Sequence, residues 1–221
     1  MSKHILYGYG GRVSSNNPVA LVDTQQNEWN KIAGEISFSL EPDLDKLATL
    51  ISKNAKILDY GCGYGRITSE LRARGYGCLT GVDTSIEMIR RGLKHYPTLD
   101  LRYIDSHEIL ADIGKFDVIL FCAVLTCIPI KAQRLKIVES AYESLNEGGI
   151  IYCVEFHRSE NILYSSTGTF TASFNVAMKH FVPTEIAEEL SLFDEISHFV
   201  TEAATVSGAK THAIHYFGKK R

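Results

Sequence analysis

The 221-residue chain has no apolar run of eighteen residues, so no segment reads as a membrane-spanning helix. It has no charge excess either. Its 23 Lys and Arg against 26 Asp and Glu leave a net charge of -3, which removes the electrostatic reason to expect a nucleic-acid partner. None of the five cysteines forms a CxxC spacing. Cys62, Cys78, Cys122, Cys127 and Cys153 lie mostly in apolar runs and read as reduced core thiols, with no disulfide framework and no metal site. The first eleven residues are polar and rich in Gly and Tyr and carry no hydrophobic signal core, so a cytoplasmic location is expected. There is no internal repeat, no low-complexity tract and no linker, and residues 1–221 read as one domain. What is present is an apolar fraction of 45% with 10% aromatics, enough for a sizeable core.

The N-terminal stretch from Tyr7 to Pro18 is turn chemistry. A helical pattern from Thr24 to Glu35 carries Trp29, and another runs from Leu44 to Ile51. A regular alternation follows. Strands are expected at Lys56–Asp59, Cys78–Val82, Leu101–Ile104, Phe116–Cys122 and Ile150–Phe156. Helices are expected at Ile67–Arg74, Ser85–His95, His107–Asp112 and Ala132–Leu145. Such alternation predicts a parallel sheet, and the continuously apolar strands predict helices on both of its faces. Beyond Phe156 the pattern breaks. Residues 157–182 are polar, rich in Ser, Thr and aromatics, and read as an irregular insertion over an active site. A helix at Thr184–Leu192 precedes two alternating strands, Glu195–Thr201 and Thr211–Gly218, joined by a turn at Ser207–Gly208.

The chemistry concentrates in Asp59-Tyr60-Gly61-Cys62-Gly63-Tyr64-Gly65, between a strand and a helix. Glycines permit a tight turn and close approach of a ligand to the backbone, and the helix start offers free N–H groups. The dinucleotide fingerprint needs glycine where Arg66 stands, so the loop reads GxGxG after an acid, not GxGxxG. A carboxylate facing a pyrophosphate is repulsive, whereas one facing an ammonium or sulfonium is favourable. The loop therefore suits a cationic, amino-acid-bearing nucleoside. Asp83 ends the next strand at a spacing suited to ribose hydroxyls, and Asp105 ends the third, followed by Ser106 and His107, which suit an adenine edge.

Together ILDYGCGYGR, GVDTSIEMI, RYIDSHEI, FDVILFCAVLTCIP and LNEGGIIYCVEF resemble the class I S-adenosylmethionine (SAM)-dependent methyltransferases. The likeness covers Ala55–Phe156 and is nearest to small-molecule enzymes with LTCIP after the fourth strand. It implies an α/β, Rossmann-like methyltransferase fold. The seven-stranded sheet would be mostly parallel with an antiparallel last strand, and N-terminal helices (1–43) and the insertion (157–182) would cap a SAM-binding core (55–156) ahead of a C-terminal helix and hairpin (183–221). The resemblance implies that Asp59, Tyr60, Gly61, Cys62 and Gly63 border the methionine moiety and that Asp83 binds the ribose. Thr84 and Met88 would flank the adenosine. Asp105, Ser106 and His107 would meet the adenine, and Cys122 and Ala123 would close the pocket beneath the sulfonium. Trp29 is a candidate lining residue, and Tyr7 and Tyr9 are candidates for a lid. His157, Tyr164 and His180, with Glu155, are candidates for the acceptor site.

The chain departs from some relatives. It has Cys122-Ala123-Val124-Leu125 where nucleobase and amide methylating enzymes carry N/D-P-P-Y/F, no histidine where some O-methyltransferases place a base, and no acid cluster for a metal. The expectation is methyl transfer to a small-molecule acceptor through O, N or S, releasing S-adenosylhomocysteine, in a monomer or homodimer without nucleic-acid or membrane partners. Two alternatives share the same cofactor site: cyclisation of SAM with release of methylthioadenosine, and a non-catalytic SAM-binding module. A nicotinamide-dependent oxidoreductase is disfavoured by Asp59 and the missing third glycine.

Overall fold

The computed structural model describes residues 23–105, 113–160 and 162–221. Tyr7, Tyr9, Ser106, His107 and the helix expected at His107–Asp112 lie outside the described residues. Two N-terminal helices, α1 (Asp23–Ile32) and α2 (Leu44–Leu50), lead into the alternation. It runs β1 (Ile57–Tyr60), α3 (Arg66–Ala73), β2 (Leu79–Asp83), α4 (Ile86–His95), β3 (Leu101–Tyr103), β4 (Phe116–Cys122), α5 (Lys131–Ser144) and β5 (Leu145–Phe156). Then come β6 (Thr169–Thr171), β7 (Ala177–Lys179), α6 (Pro183–Glu189), β8 (Phe193–Ala204) and β9 (Lys210–Lys220). Among the described residues no helix is long and apolar enough to cross a membrane.

Seven strands form one sheet in the order β3-β2-β1-β4-β5-β9-β8. The pairings of β1 to β5 are parallel, and β9 runs antiparallel between β5 and β8. Side chains alternate along each strand and feed two apolar layers. Leu58, Tyr60, Ile119 and Phe121 pack with Ile137 and Val138 of α5 and Ile186 of α6. Ile57, Val118, Leu120 and Tyr152 pack with Leu44 and Leu47 of α2 and Ile67 and Leu71 of α3. With both faces covered, β1 is buried along its whole length, which is why it reads as an unbroken apolar run except for Asp59. Because β2 and β4 flank β1 on opposite sides, the strand order reverses at β1, and a crevice opens beyond the carboxyl ends of these strands.

The insertion is more regular than its composition suggests. β6 and β7 pair as a short antiparallel hairpin, and Val176, Met178 and Phe181 are buried. The Ser/Thr run folds as a turn held by its own hydroxyls: Ser165 Oγ lies 2.6 Å from Thr169 Oγ1 and accepts the Thr167 N–H at 3.2 Å, and Gly168 takes φ +80°. The final strands are longer than the alternation implied. They meet at Ala204 opposite Lys210, with Gly208 at φ +81° in the turn.

Candidate active site

Between β1 and α3 the backbone passes through glycines at φ +70° (Gly61), +56° (Gly63) and +79° (Gly65). All three are also pressed from outside, Gly65 by Leu101 Cδ1, 2.8 Å from where a Cβ would sit. A Cβ at Gly61 would sit 2.8 Å from Val124 Cγ2, and one at Gly63 would sit 2.5 Å from Phe38 Cε2. The Gly61 and Cys62 N–H groups both donate to Val82 O, at 2.8 and 2.9 Å, fastening the loop across the end of β2.

The Asp83 carboxylate faces this loop. Its Oδ2 accepts the Gly63 N–H at 2.8 Å and its Oδ1 the Ser85 N–H at 2.7 Å. Each oxygen keeps lone-pair capacity for a ligand hydroxyl. Burial pushes the Asp83 pKa up to about 6, against the opposing pull of those two N–H groups. Asp59 is 2% exposed and accepts the Thr68 hydroxyl at 2.6 Å. Burial raises its pKa to about 6 as well, opposed by Thr68 and Arg66 and reinforced by the Asp83 charge.

These groups border a cavity of about 360 Å³. Helix α1 closes one side of it. The Gln25 carboxamide donates to Cys127 O at 2.7 Å and Ala177 O at 3.1 Å and accepts the Ala177 N–H at 2.7 Å, joining α1 to the β4 end and to β7. Gln26 donates to Thr84 O, and Asn30 Oδ1 accepts the Ser85 hydroxyl at 2.7 Å. The Trp29 ring contacts Phe38 and Phe174, with centroids 6.2 and 5.7 Å apart.

The far wall follows β4. Ala123 takes φ +58°, a left-handed conformation uncommon for a residue with a Cβ, and a short helical turn follows at Leu125–Cys127. The buried Glu155 carboxylate accepts the Leu125 and Thr126 N–H groups at 2.9 and 2.8 Å. Arg134 donates to Ile128 O and Pro129 O at 2.7 and 2.9 Å, and its fork pairs with Glu189 at 2.6 and 2.7 Å, both side chains buried. Two buried ionisable side chains, Glu155 and Arg134, thus hold the backbone of this wall.

The cavity brings together Trp29, Asp59, Tyr60, Gly61, Cys62, Asp83, Thr84, Met88, Cys122 and Ala123. Gly63 lies behind the wall, between Phe38 and Asp83. Asp105 is exposed and does not line it. It stands at a bend beyond the end of β3, and the neighbouring Ile104 is buried and lines the cavity. His157, Tyr164, His180 and Glu155 are not on the wall either. Tyr164 Oη lies 2.8 Å from His180 Nδ1 and accepts the Ser159 N–H at 3.1 Å. The His180 ring stacks on Phe156 and meets Phe170 edge-on, and burial pushes its pKa down to about 4. His157 Nδ1 lies 2.7 Å from Arg158 O. These side chains seat the insertion on the sheet. Sequence reasoning missed Gln25, Phe38, Arg66 and Met178, all of which reach the cavity. Only Arg66, directly after the glycine loop, carried a local signal.

A family model described as a methyltransferase domain matches residues 34–203. The chain is 29% identical over 134 residues to a ubiquinone biosynthesis O-methyltransferase of Psychrobacter cryohalolentis, covering 57% of this chain and 51% of that protein. It is 29% identical over 133 residues to an uncharacterized methyltransferase of Synechocystis, covering 60% of each. The chain thus spans about half the length of the first of these curated relatives. A SAM-dependent methyltransferase structure from Methanosarcina mazei superposes with a TM-score of 0.71 at 24% identity, over 79% of this chain and 96% of that one. One from Anabaena variabilis gives 0.69 at 16% identity, over 96% and 100%. These two structures share the fold. With a family model covering more than half of its residues, the chain belongs to the methyltransferase domain family.

Proposed function

We propose that the cavity binds SAM and that the protein transfers a methyl group to a small, largely apolar acceptor. The observation that carries this reading is Asp83: a carboxylate at the end of β2, fixed by the Gly63 and Ser85 N–H groups, on the wall of a cavity that also holds the buried Asp59. Two acids suit a cationic nucleoside with a ribose and repel a pyrophosphate. When bound, SAM supplies a methyl group activated by a sulfonium leaving group, open to in-line displacement.

The chain's own residues align the partners and exclude water. Asp83 accepts ribose hydroxyls, and Asp59 faces the cationic end. Cys122 and Ala123 wall the β4 side, and α1, held by Gln25, covers the opening. The acceptor side is formed by Ile128, Pro129, Ile130, Phe174 and Met178, with Gln133 as a polar group. Among the described residues no charged side chain lines that side, which favours an uncharged acceptor with an apolar body.

Incubation with SAM and pooled acceptors, read by mass spectrometry, tests the reading. S-adenosylhomocysteine with a methylated acceptor is the expected pair of products. Methylthioadenosine would indicate cyclisation instead. Calorimetry that finds NAD binding and no SAM binding would overturn the assignment.

A further inference from the structure

We propose that β8 is a dimerisation edge, at which a second copy of this chain pairs its own β8 antiparallel about a two-fold axis beside Val200. Strand β8 ends the seven-stranded sheet, and among the described residues its only strand partner is β9. It spans Phe193–Ala204. Natural edges are blunted by short length, Lys or Pro. This edge is long, and its central run Ile196–Thr201 (ISHFVT) holds no Lys, no Pro and no acid. Its outward backbone groups are therefore a template for another strand. The side chains agree. Among the described residues eight large apolar side chains are exposed, and four of them, Leu192, Ile196, Val200 and Val206, lie on β8 or beside its ends.

The ladder fixes which backbone groups are free. The Thr205 N–H donates to Ala209 O at 2.9 Å, so the alternating register spends the backbone groups of Ala203, Thr201, Phe199 and Ser197 on β9. The intervening His198, Val200 and Glu202 turn theirs outward. Ala204 O is taken by the Ser39 hydroxyl at 2.7 Å, which leaves 198–202 as the open stretch. Self-pairing there has one favourable register. Centred on His198, it sets Glu202 against Asp194, and centred on Glu202, it sets that carboxylate against its own copy; both are like-charge contacts. Centred one residue to either side of Val200, it sets Glu202 against Ile196 or Val200. Centred on Val200, the two valines meet, and His198 faces Glu202 of the other copy on both sides of the axis. His198 Nδ1 already lies 2.7 Å from Glu195 Oε1, and Nε2, which has no partner among the described residues, is left for that second carboxylate; the charged ring donates through both nitrogens. On the other face Phe199 comes to lie beside Thr201 across the axis. Such a contact is isologous and closes at two copies.

Sedimentation velocity of the full chain over a range of concentrations should show a dimer. Val200→Lys sets two like charges face to face on the axis and should raise the dimer dissociation constant by about tenfold or more, with the circular dichroism spectrum unchanged. Glu202→Lys should weaken the dimer as well, and His198→Glu combined with Glu202→Lys should restore it, because the unlike pair is rebuilt in reverse. Val200→Cys, with the exposed Cys78 replaced by Ser, should form a disulfide with its own copy under mild oxidation, since a hydrogen-bonded pair holds its Cα atoms about 5.5 Å apart. Leu163→Cys, exposed on the insertion, should not cross-link in the same background. The charge reversal and the cross-link decide the matter if Val200→Lys does not fold. A chain that stays monomeric at every concentration would overturn the proposal. A dimer that Val200→Lys leaves intact, or that the double reversal fails to restore, would place the contact elsewhere and overturn it too.

Discussion

Binding of SAM should strengthen steeply as pH rises from 5 to 7 and then level off. Asp59 and Asp83 both titrate near pH 6 in the free protein, because burial disfavours their charged forms. A ligand that brings a sulfonium and an ammonium into the cavity favours the ionised carboxylates, and an α-amino group stays protonated through this window. Binding must therefore release protons wherever the acids are still protonated. At pH 5, one unit below a pKa of about 6, each acid is ionised roughly one-tenth of the time. If only the doubly ionised cavity binds, affinity at pH 5 is lower by about tenfold per acid, or about 100-fold for both, equivalent to about 2.7 kcal/mol. The Asp83 charge raises the Asp59 pKa, so the protons leave in two coupled steps and the limiting slope is approached gradually. Calorimetry at several pH values, in buffers of different ionisation enthalpy, gives both affinity and protons released. Close to two protons should leave at pH 5 and close to none near pH 7. Asp83→Asn should reduce the release toward one and weaken binding at pH 7. Flat affinity from pH 5 to 7 without proton release would refute the placement of these carboxylates against a cation.

Burial raises the Glu155 pKa to about 7 from an ordinary 4.5, so between those values the folded chain keeps a proton that the unfolded chain has lost. Its contribution to stability is therefore fully present below pH 4.5 and falls as pH rises to about 7, by up to about 3 kcal/mol; urea unfolding of Glu155→Gln should show a shallower slope than wild type over that window. Glu189→Ala should cost about 3 to 5 kcal/mol in chemical denaturation, because it leaves the buried Arg134 without its carboxylate; a loss below 1 kcal/mol would show that the guanidinium is solvated. Gly63→Ala should lower the melting temperature and weaken SAM binding together, because a Cβ there strikes Phe38 at 2.5 Å on a backbone at φ +56°.

The parts of this site legible in the sequence are those whose chemistry is local. Three glycines at a strand end needed left-handed backbone, and all three have it. Asp83 follows from its strand end, since the ends of adjacent parallel strands share one edge of the sheet, whereas Cys122 and Ala123 came from the family resemblance. Asp105 shows the limit of that logic. The strand end was placed to within a residue, but Asp105 falls at a bend beyond it and is exposed, while Ile104 lines the cavity. Gln25 was illegible for another reason. Its partners, Cys127 and Ala177, are 102 and 152 residues away, and nothing in a helix of low hydropathy names them.

The buried acids show why composition could not separate site from scaffold. Asp59, Asp83, Glu155 and Glu189 all sit near the cavity or its wall, and as residue types they offer the same functional signal. Their partners divide them. Glu189 has its fork-to-fork arginine, and Glu155 spends both oxygens on the N–H groups of one turn. Glu155 acts directly, and Glu189 through Arg134, on the backbone beyond the β4 end, so this wall is held by ionisable groups that do not line the cavity. Asp59 is bonded by the hydroxyl and backbone N–H of Thr68 and Asp83 by two backbone donors, and both stand on the cavity itself. They retain unspent acceptor capacity on the cavity wall, and in the proposed reading that capacity serves recognition of the ligand. The same reasoning divides the arginines. Arg134 has a partner on every nitrogen and is structural, whereas the buried Arg66 Nε has none.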